Sequence, residues 1–457
     1  MTEYMRNSDA FTWSMESDPR LRSTVVTLIL LDRPPDWDAM RSRFETISAE
    51  LPMFRERVVY SPLSAPPRWV PYPDFDLDFH MRRVRAPAPG TFDTVLEMAR
   101  LAAMEDFDRA RPLWKATLVD GLADGGAAVV CKFHHALTDG VGAIEIAMRL
   151  FDLTEEPEQP TAAAPHAPAS SSNEETWWRD YVDTLRFDAE RASNTVTDLV
   201  RSAPSLAYNA IRHPVATAGA AVETAASVYR TVRPVNETGS PLMTDRSLVR
   251  HLAVHEVPLR QLRDAGHRGG GSLNDAFVAG VLGGLRLYHE KHGAQVGDLH
   301  LCMPVSLRTE EDAPGGNRIT LMRFDVPGAE VDPARRIAQI HRRTARVRNE
   351  RSLPYTQLIA GAMNLMPRWY IGSVLRHVDF LCSDVPGIPV PVYVGGARLR
   401  AQYAFGPTIG AAVNVTLLTY VDTCELGIDV DTGAIEDVDI FHACLADGFD
   451  EVLALGR

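Results

Sequence analysis

At 457 residues the chain is too long for one ordinary domain and has room for two substantial cores. An apolar fraction of 45% and a charged fraction of 23% exclude a disordered or fibrous protein. A formal net charge of -13 excludes a dedicated nucleic-acid binder, and no run approaches the roughly eighteen apolar residues that would span a bilayer.

In chain order, residues 1–18 are polar and acidic, unlike a secretory signal peptide. Residues 24–31 are β-branched and leucine-rich and predict a strand, and the spacing over 37–51 predicts a helix. Strands over 112–122 and 127–133 are joined by Ala123-Asp124-Gly125-Gly126 as a hairpin. A histidine-rich turn follows, then a helix over 141–153. Residues 155–175, rich in Pro, Ala, Ser and Glu, read as a linker, and 176–235 as an alanine-rich helical connector interrupted at Pro204 and Pro214. Beyond it come a strand at 251–257 and a helix at 272–292 opened by the capping pattern Ser272-x-x-Asp275. Strands at 299–307 and 319–326 precede a basic helix at 333–349. A hairpin of 413–420 and 424–430 and a closing helix complete the chain. Strands and helices mix without strict alternation, which predicts α+β with mixed sheets. The boundaries divide the chain into 1–154, 155–240 and 241–457.

Five scattered cysteines, Cys131, Cys302, Cys382, Cys424 and Cys444, include no C-x-x-C pair. They indicate neither a disulfide framework nor a zinc site, and they fit a reducing, cytoplasmic setting.

The informative string is His134-His135-Ala136-Leu137-Thr138-Asp139-Gly140, between a strand and a helix. Acyl transfer from a thioester to an alcohol needs chiefly one positioned base, because the thiolate is already a good leaving group. A histidine suits that work, with an ordinary pKa near roughly 6.5. No G-x-S-x-G elbow is present, which favours direct attack over an acyl-enzyme. His135 is the candidate base. His134 should face away from it if the chain is still extended, since strand side chains alternate. Asp139 is read as structural support at the helix start, and Gly140 as the turn into that helix. Taken singly, these residues read as ordinary polar loop residues. Adjacent histidines do not match the spacing of a zinc pair, so no metal is expected.

The string resembles the signature of the CoA-dependent acyltransferase superfamily, shared with chloramphenicol acetyltransferase and nonribosomal-peptide condensation domains. Further elements resemble, in order, the bacterial wax ester synthase/diacylglycerol acyltransferase family. They are Pro112-Leu113-Trp114, Asn274-Asp275, Pro304-Val305-Ser306-Leu307-Arg308 with Gly316-Asn317, Ser383-Asp384-Val385-Pro386-Gly387, Gly406-Pro407 and Asn414-Val415-Thr416. Ser8-Asp9-Ala10-Phe11 is compatible. The resemblance implies two chloramphenicol-acetyltransferase-like domains with the active site at their interface. It implies an acyl-CoA donor, no cofactor, and a lipid hydroxyl acceptor, either diacylglycerol or a fatty alcohol. His135 carries over as base and Asp139 as its support, with Asn274, Ser306, Asn414 and Thr416 as substrate-binding candidates. Pro112, Leu113 and Trp114 are expected to pack rather than react. The family usually has Asn at the position of Asp384, where an extra carboxylate facing the cleft would alter acceptor preference.

The arginines of the basic helix read as a solvated face, or as an attraction for CoA phosphates or anionic headgroups. Trp177, Trp178 and Tyr181 either dock a helix or sit at a lipid interface. Insoluble acceptors imply peripheral association with a membrane or lipid droplet. Competing readings are an acyltransferase drawing on a carrier-protein-bound donor, and a non-catalytic lipid-binding protein.

Overall fold

The structure is a computed structural model and describes residues 3–16, 18–61, 66–137, 146–156, 237–306, 319–348, 363 and 377–457. At the N-terminal end, β1 (Glu3–Tyr4), β3 (Glu56–Val59) and β4 (Arg68–Pro71) make a small antiparallel sheet in the order β1-β4-β3. It packs beside α1 (Asn7–Met15) and α2 (Trp37–Glu50). The Asp36 side chain starts α2 by accepting from the Asp38 and Ala39 N–H groups.

The first large sheet contains β2 (Thr24–Leu31), β5 (Met81–Arg85), β6 (Trp114–Asp120), β7 (Ala127–His134), β12 (Tyr393–Val394) and β13 (Ala397–Phe405). Its order is β12-β13-β2-β7-β6-β5, antiparallel except between β5 and β6. Alternation along β2 and β7 divides their side chains between two cores. Val26, Leu28, Ala128 and Val130 pack toward α4 (Phe92–Met104), and Ile29, Val129 and Cys131 pack toward α2 and α3 (Leu77–His80).

The second large sheet runs β10-β9-β11-β14-β15-β8. Its members are β8 (Arg250–Pro258), β9 (Asp298–Ser306), β10 (Ile319–Pro327), β11 (Phe380–Ile388), β14 (Val413–Tyr420) and β15 (Thr423–Asp431). α5 (Leu259–Arg268), α6 (Leu273–Lys291), α7 (Pro333–Arg348) and α8 (Val438–Leu453) accompany it. Phe277, Phe380, Phe441 and Phe449 lie in the resulting core. Ser272 and Asp275 form the capping box at the start of α6 that the sequence predicts. β9 and β11 are parallel and pair at only Phe380↔Leu301 and Leu381↔Cys302, after which the strands part.

The elements are α+β with mixed sheets, as expected. One connection was not expected. β12 and β13 leave the segment read as C-terminal and join the first sheet, where Tyr403 opposes Leu28 and Phe405 opposes Val26. β13 also lies against the second sheet, close enough that a Cβ on Gly427 would stand 2.0 Å from the Ala404 carbonyl. The two halves are therefore tied by a shared strand. The helix predicted over 141–153 is observed at 146–150, and Asp152 bridges to Tyr393. The linker and connector fall outside the described residues, as do Trp177, Trp178 and Tyr181.

Candidate active site

Hydrogen bonding along β7 sets the two histidines. The His134 N–H donates to the Leu113 carbonyl at 3.0 Å, and the His135 N–H donates to the Ser23 carbonyl at 2.8 Å. The Leu113 and Trp114 pair is thus structural, as expected. Trp114 is fully buried, donates its indole N–H to the Phe54 carbonyl at 2.9 Å, and stacks on His80 at 4.7 Å. Burial pulls the His80 pKa down to about 4, so that ring stays neutral at pH 7.

His134 is fully buried. Its Nδ1 accepts from the Ala136 N–H at 3.0 Å, which places the ring proton on Nε2, and Nε2 stands 2.8 Å from Glu16 Oε1. The edge of the ring meets Trp13 at 5.1 Å and Phe107 at 6.1 Å. Glu16 also accepts from the Ser23 N–H at 2.9 Å and approaches Arg109 at 3.3 Å. Burial alone would raise the Glu16 pKa, but His134, the Ser23 N–H and Arg109 outweigh it and hold the carboxyl below its ordinary value. Glu16 therefore fixes both His134 and Ser23, and Ser23 in turn holds the backbone of His135. The sequence gives no spacing signal for it, since it is one acid at the end of α1.

His135 follows β7 directly and is half-buried, lining a cavity of about 260 Å³ between the two large sheets. On the first sheet the walls include Val25, Thr27, Cys131 and Phe133. Helical residues 146–150 close one side with Ile146, Ala147 and Leu150. On the second sheet, Leu381, Ser383 and Val385 of β11 stand opposite Asn414, Thr416 and Leu418 of β14, and all six reach the cavity.

Asn414 and Thr416 are buried and line the same space as His135. Asn414 Nδ2 donates to the Pro407 carbonyl at 2.7 Å, and the Thr416 hydroxyl donates to Asn414 Oδ1 at 3.4 Å. A Cβ on Gly406 would lie 2.7 Å from Asn414 Nδ2 and 3.0 Å from Thr416 Oγ1, so the Gly406-Pro407 turn seats directly on this pair. Gly387 meets a harder limit, for a Cβ there would stand 1.5 Å from the Thr419 carbonyl oxygen. Only glycine permits that approach.

Other predicted residues are placed differently. Asn274 lies in the first turn of α6 and donates to Met303 Sδ at 3.7 Å, outside the residues that line the cavity. Ser306 ends β9 opposite Ile319, and its side chain lies outside the described residues. Asp139 and Gly140 also fall outside them. Asp384 borders the cavity where β9 and β11 part, but its register with Leu417 assigns its side chain to the opposite face from Ser383 and Val385. Burial raises its pKa to about 6 against the attraction of Arg348.

All five cysteines are buried and unpaired. Burial pushes the thiols of Cys131 and Cys302 up to about 12, so Cys131 is inert although it lines the cavity. Among the described residues no helix is long and apolar enough to cross a membrane, and no cluster of His, Cys, Asp or Glu could hold a metal ion. On the basic helix α7, Arg336 is buried against Glu451 at 2.8 Å, whereas Arg335, Arg342, Arg346 and Arg348 are exposed.

The arrangement offers an imidazole at the wall of a largely apolar space that is bounded by both sheets and includes a few buried polar groups. Solved structures share the fold. The wax ester synthase/diacylglycerol acyltransferase from Marinobacter aquaeolei VT8 superposes with a TM-score of 0.64 at 20% identity, covering 100% of both chains. The first condensation domain of the calcium-dependent antibiotic synthetase gives 0.64 at 13% identity, covering 100% of this chain and 97% of that one. A Mycobacterium tuberculosis (strain H37Rv) protein, assigned by name as a diacylglycerol O-acyltransferase, is 36% identical over 444 residues, which is 96% of this chain and 89% of that protein. Residues 5–277 match the wax ester synthase/diacylglycerol acyltransferase catalytic domain, and residues 315–452 match the C-terminal domain of the same family. The chain belongs to the wax ester synthase/diacylglycerol acyltransferase family.

Proposed function

We propose that this acyltransferase moves a long-chain acyl group from acyl-CoA to a lipid hydroxyl, with His135 as general base. The observation that carries this reading is His135 at the wall of an apolar cavity, while His134 is locked behind it by Glu16. The acceptor O–H gives its proton to His135 as its oxygen attacks the thioester carbonyl. The C–O bond forms, the C–S bond breaks, and the proton passes from His135 to the departing thiolate. The products are an ester and free CoA thiol. No cofactor takes part in this scheme. Asn414 and Thr416 present polar groups to the cavity that His135 lines. Asp139 and Gly140 keep the structural roles, and Asn274 and Ser306 the substrate-binding roles, that the resemblance implies.

Diacylglycerol and a fatty alcohol are both proposed as acceptors. The Mycobacterium tuberculosis relative is named for the first, and the Marinobacter aquaeolei protein for both activities. These acceptors place the protein at a membrane or lipid-droplet surface on the cytoplasmic side, where the exposed arginines of α7 would favour anionic headgroups.

The test is thiol release from palmitoyl-CoA with each acceptor offered separately, alongside identification of the ester formed. Acceptor-dependent release supports the reading, and the faster acceptor identifies the acceptor class. Turnover of carrier-protein-bound acyl groups, without turnover of acyl-CoA, would replace the proposed donor. Bound lipid with no turnover of any thioester would leave a non-catalytic lipid-binding protein.

A further inference from the structure

Beyond the histidines, Ser383, Asp384, Asn414 and Thr416, two further polar side chains interrupt the apolar walls of the cavity. β13 pairs with β2 so that Gln402 opposes Ile29 and Ala404 opposes Thr27. Thr27 and Gln402 are thus diagonal neighbours on the face that lines the cavity, about 7 Å apart in such a register. Gln402 is only 6% exposed. Its backbone N–H donates to Glu425 Oε2 at 2.8 Å, which fixes β13 at this point. Neither its carboxamide nor the Thr27 hydroxyl has a hydrogen-bond partner among the described residues. Ile29 and Cys131, their cross-strand partners, are apolar, and Leu150 and Phe151 are further apolar groups in the walls of the cavity. An unpaired amide in such walls is costly, and a native structure rarely keeps one without a use.

Strand register also gives the distance from the reacting centre. Thr27 pairs with Cys131 and Ile29 with Val129, so the two levels lie four and six residues before His135 along the chain. At about 3.3 Å per residue these are roughly 13 and 20 Å. An extended alkyl chain advances roughly 1.3 Å per methylene, given C–C bonds near 1.5 Å. The polar pair therefore meets a chain at about its tenth to fifteenth carbon.

We propose that Thr27 and Gln402 form a polar notch that selects a long-chain acyl donor carrying a hydroxyl or oxo group in its distal half. This rests on the reading above, in which the acyl chain of an acyl-CoA occupies the cavity. The notch donates from the carboxamide or the threonine hydroxyl to the substituent oxygen, and the carboxamide oxygen accepts from a substrate hydroxyl. A plain alkyl chain leaves both groups unpaired, and a site built to hydrogen-bond its substrate rejects the analogue that lacks the group.

The test compares 12-hydroxyoctadecanoyl-CoA with octadecanoyl-CoA in thiol release with one acceptor, using the wild type, Gln402→Leu and Thr27→Val. The wild type should favour the hydroxylated donor in kcat/KM by about tenfold, the scale of one hydrogen bond. Gln402→Leu should abolish or reverse that ratio, and the isosteric Thr27→Val should reduce it. An equal ratio in the wild type, or a ratio unchanged in both variants, overturns the proposal. Calorimetric titration of the same proteins with the two free fatty acids gives a readout that needs no turnover. A tenfold binding preference that disappears in Gln402→Leu, without any thiol release, upholds the notch and counts against the acyltransfer reading. Equal affinities in the wild type count against the notch alone.

Discussion

Removing the Glu16 carboxylate should damage the protein through the histidine it holds. Glu16 has a side chain only 2% exposed and faces three donors: the Ser23 N–H at 2.9 Å, His134 Nε2 at 2.8 Å and Arg109 at 3.3 Å. Glu16→Ala leaves two buried donors without acceptors and a guanidinium without its counter-charge. Breaking a buried pair in this way costs roughly 3–5 kcal/mol. Glu16→Gln keeps the volume and one acceptor oxygen and should cost about 1–2 kcal/mol, the scale of a charged hydrogen bond weakened to a neutral one. The pH dependence follows from the lowered pKa. The carboxylate stabilises the fold above the ordinary value of 4.5, and this contribution is lost as pH falls through the folded-state value. Urea unfolding across pH should therefore show the wild type and Glu16→Gln converging in acid and diverging toward neutrality. In the acyl-transfer assay, Glu16→Gln should lower kcat more than it raises KM, because it loosens the Ser23–His135 backbone contact without touching substrate. A Glu16→Ala protein as stable and as active as the wild type would refute the claim that this carboxylate organises the histidine turn.

The two motif glycines should behave differently. Gly387→Ala, with its 1.5 Å approach to the Thr419 carbonyl, should prevent folding, while Gly406→Ala should fold with a loss of roughly 1–3 kcal/mol and reduced turnover, as circular dichroism and thiol release would report. The Asp384 pKa is raised from 3.8 to about 6, so stability falls as pH rises through that window and stays lowered above it. Asp384→Asn should therefore stabilise the protein near neutrality, by at most roughly 3 kcal/mol, and leave it little changed near pH ~4 in the same denaturation series. On α7, Arg336→Met should destabilise by roughly 1–3 kcal/mol, because it removes the donor to the Ala279, Glu330 and Val331 carbonyls while Arg286 still holds Glu451. Neutralising the exposed Arg335, Arg342, Arg346 and Arg348 together should instead leave stability nearly unchanged and weaken sedimentation with anionic vesicles; unaltered vesicle binding would remove them from the proposed surface.

The elements that sequence reading located well are those whose signals are local. β2 coincides with its predicted span because T-V-V-T-L-I-L-L carries β-branched and apolar residues from end to end. The start of α6 follows from the Ser272 and Asp275 capping box, and the place of His135 from a strand that ends one residue before it. What escaped the reading is non-local. Nothing in A-R-L-R-A-Q-Y-A-F says that β13 pairs with β2 rather than with a strand of its own half, since register depends on partners hundreds of residues away. Glu16 and Gln402 are single polar residues without spacing, and their roles appear only once α1 meets β7 and β13 meets β2. Asp384 was legible as a departure from the family pattern. Its face was not, because alternation assigns a face only after the strand limits and the pairing with β14 are known.

The central claim, that His135 is the base for acyl transfer, is tested most directly by acceptor-dependent thiol release from palmitoyl-CoA in the wild type and His135→Ala. Both proteins should give matching circular dichroism and melting curves before rates are compared. The account predicts a loss of about 10²–10⁴-fold in kcat, the usual contribution of a positioned general base. A folded His135→Ala enzyme that keeps more than about a tenth of wild-type turnover would contradict it and move the proton transfer to another group in the cavity.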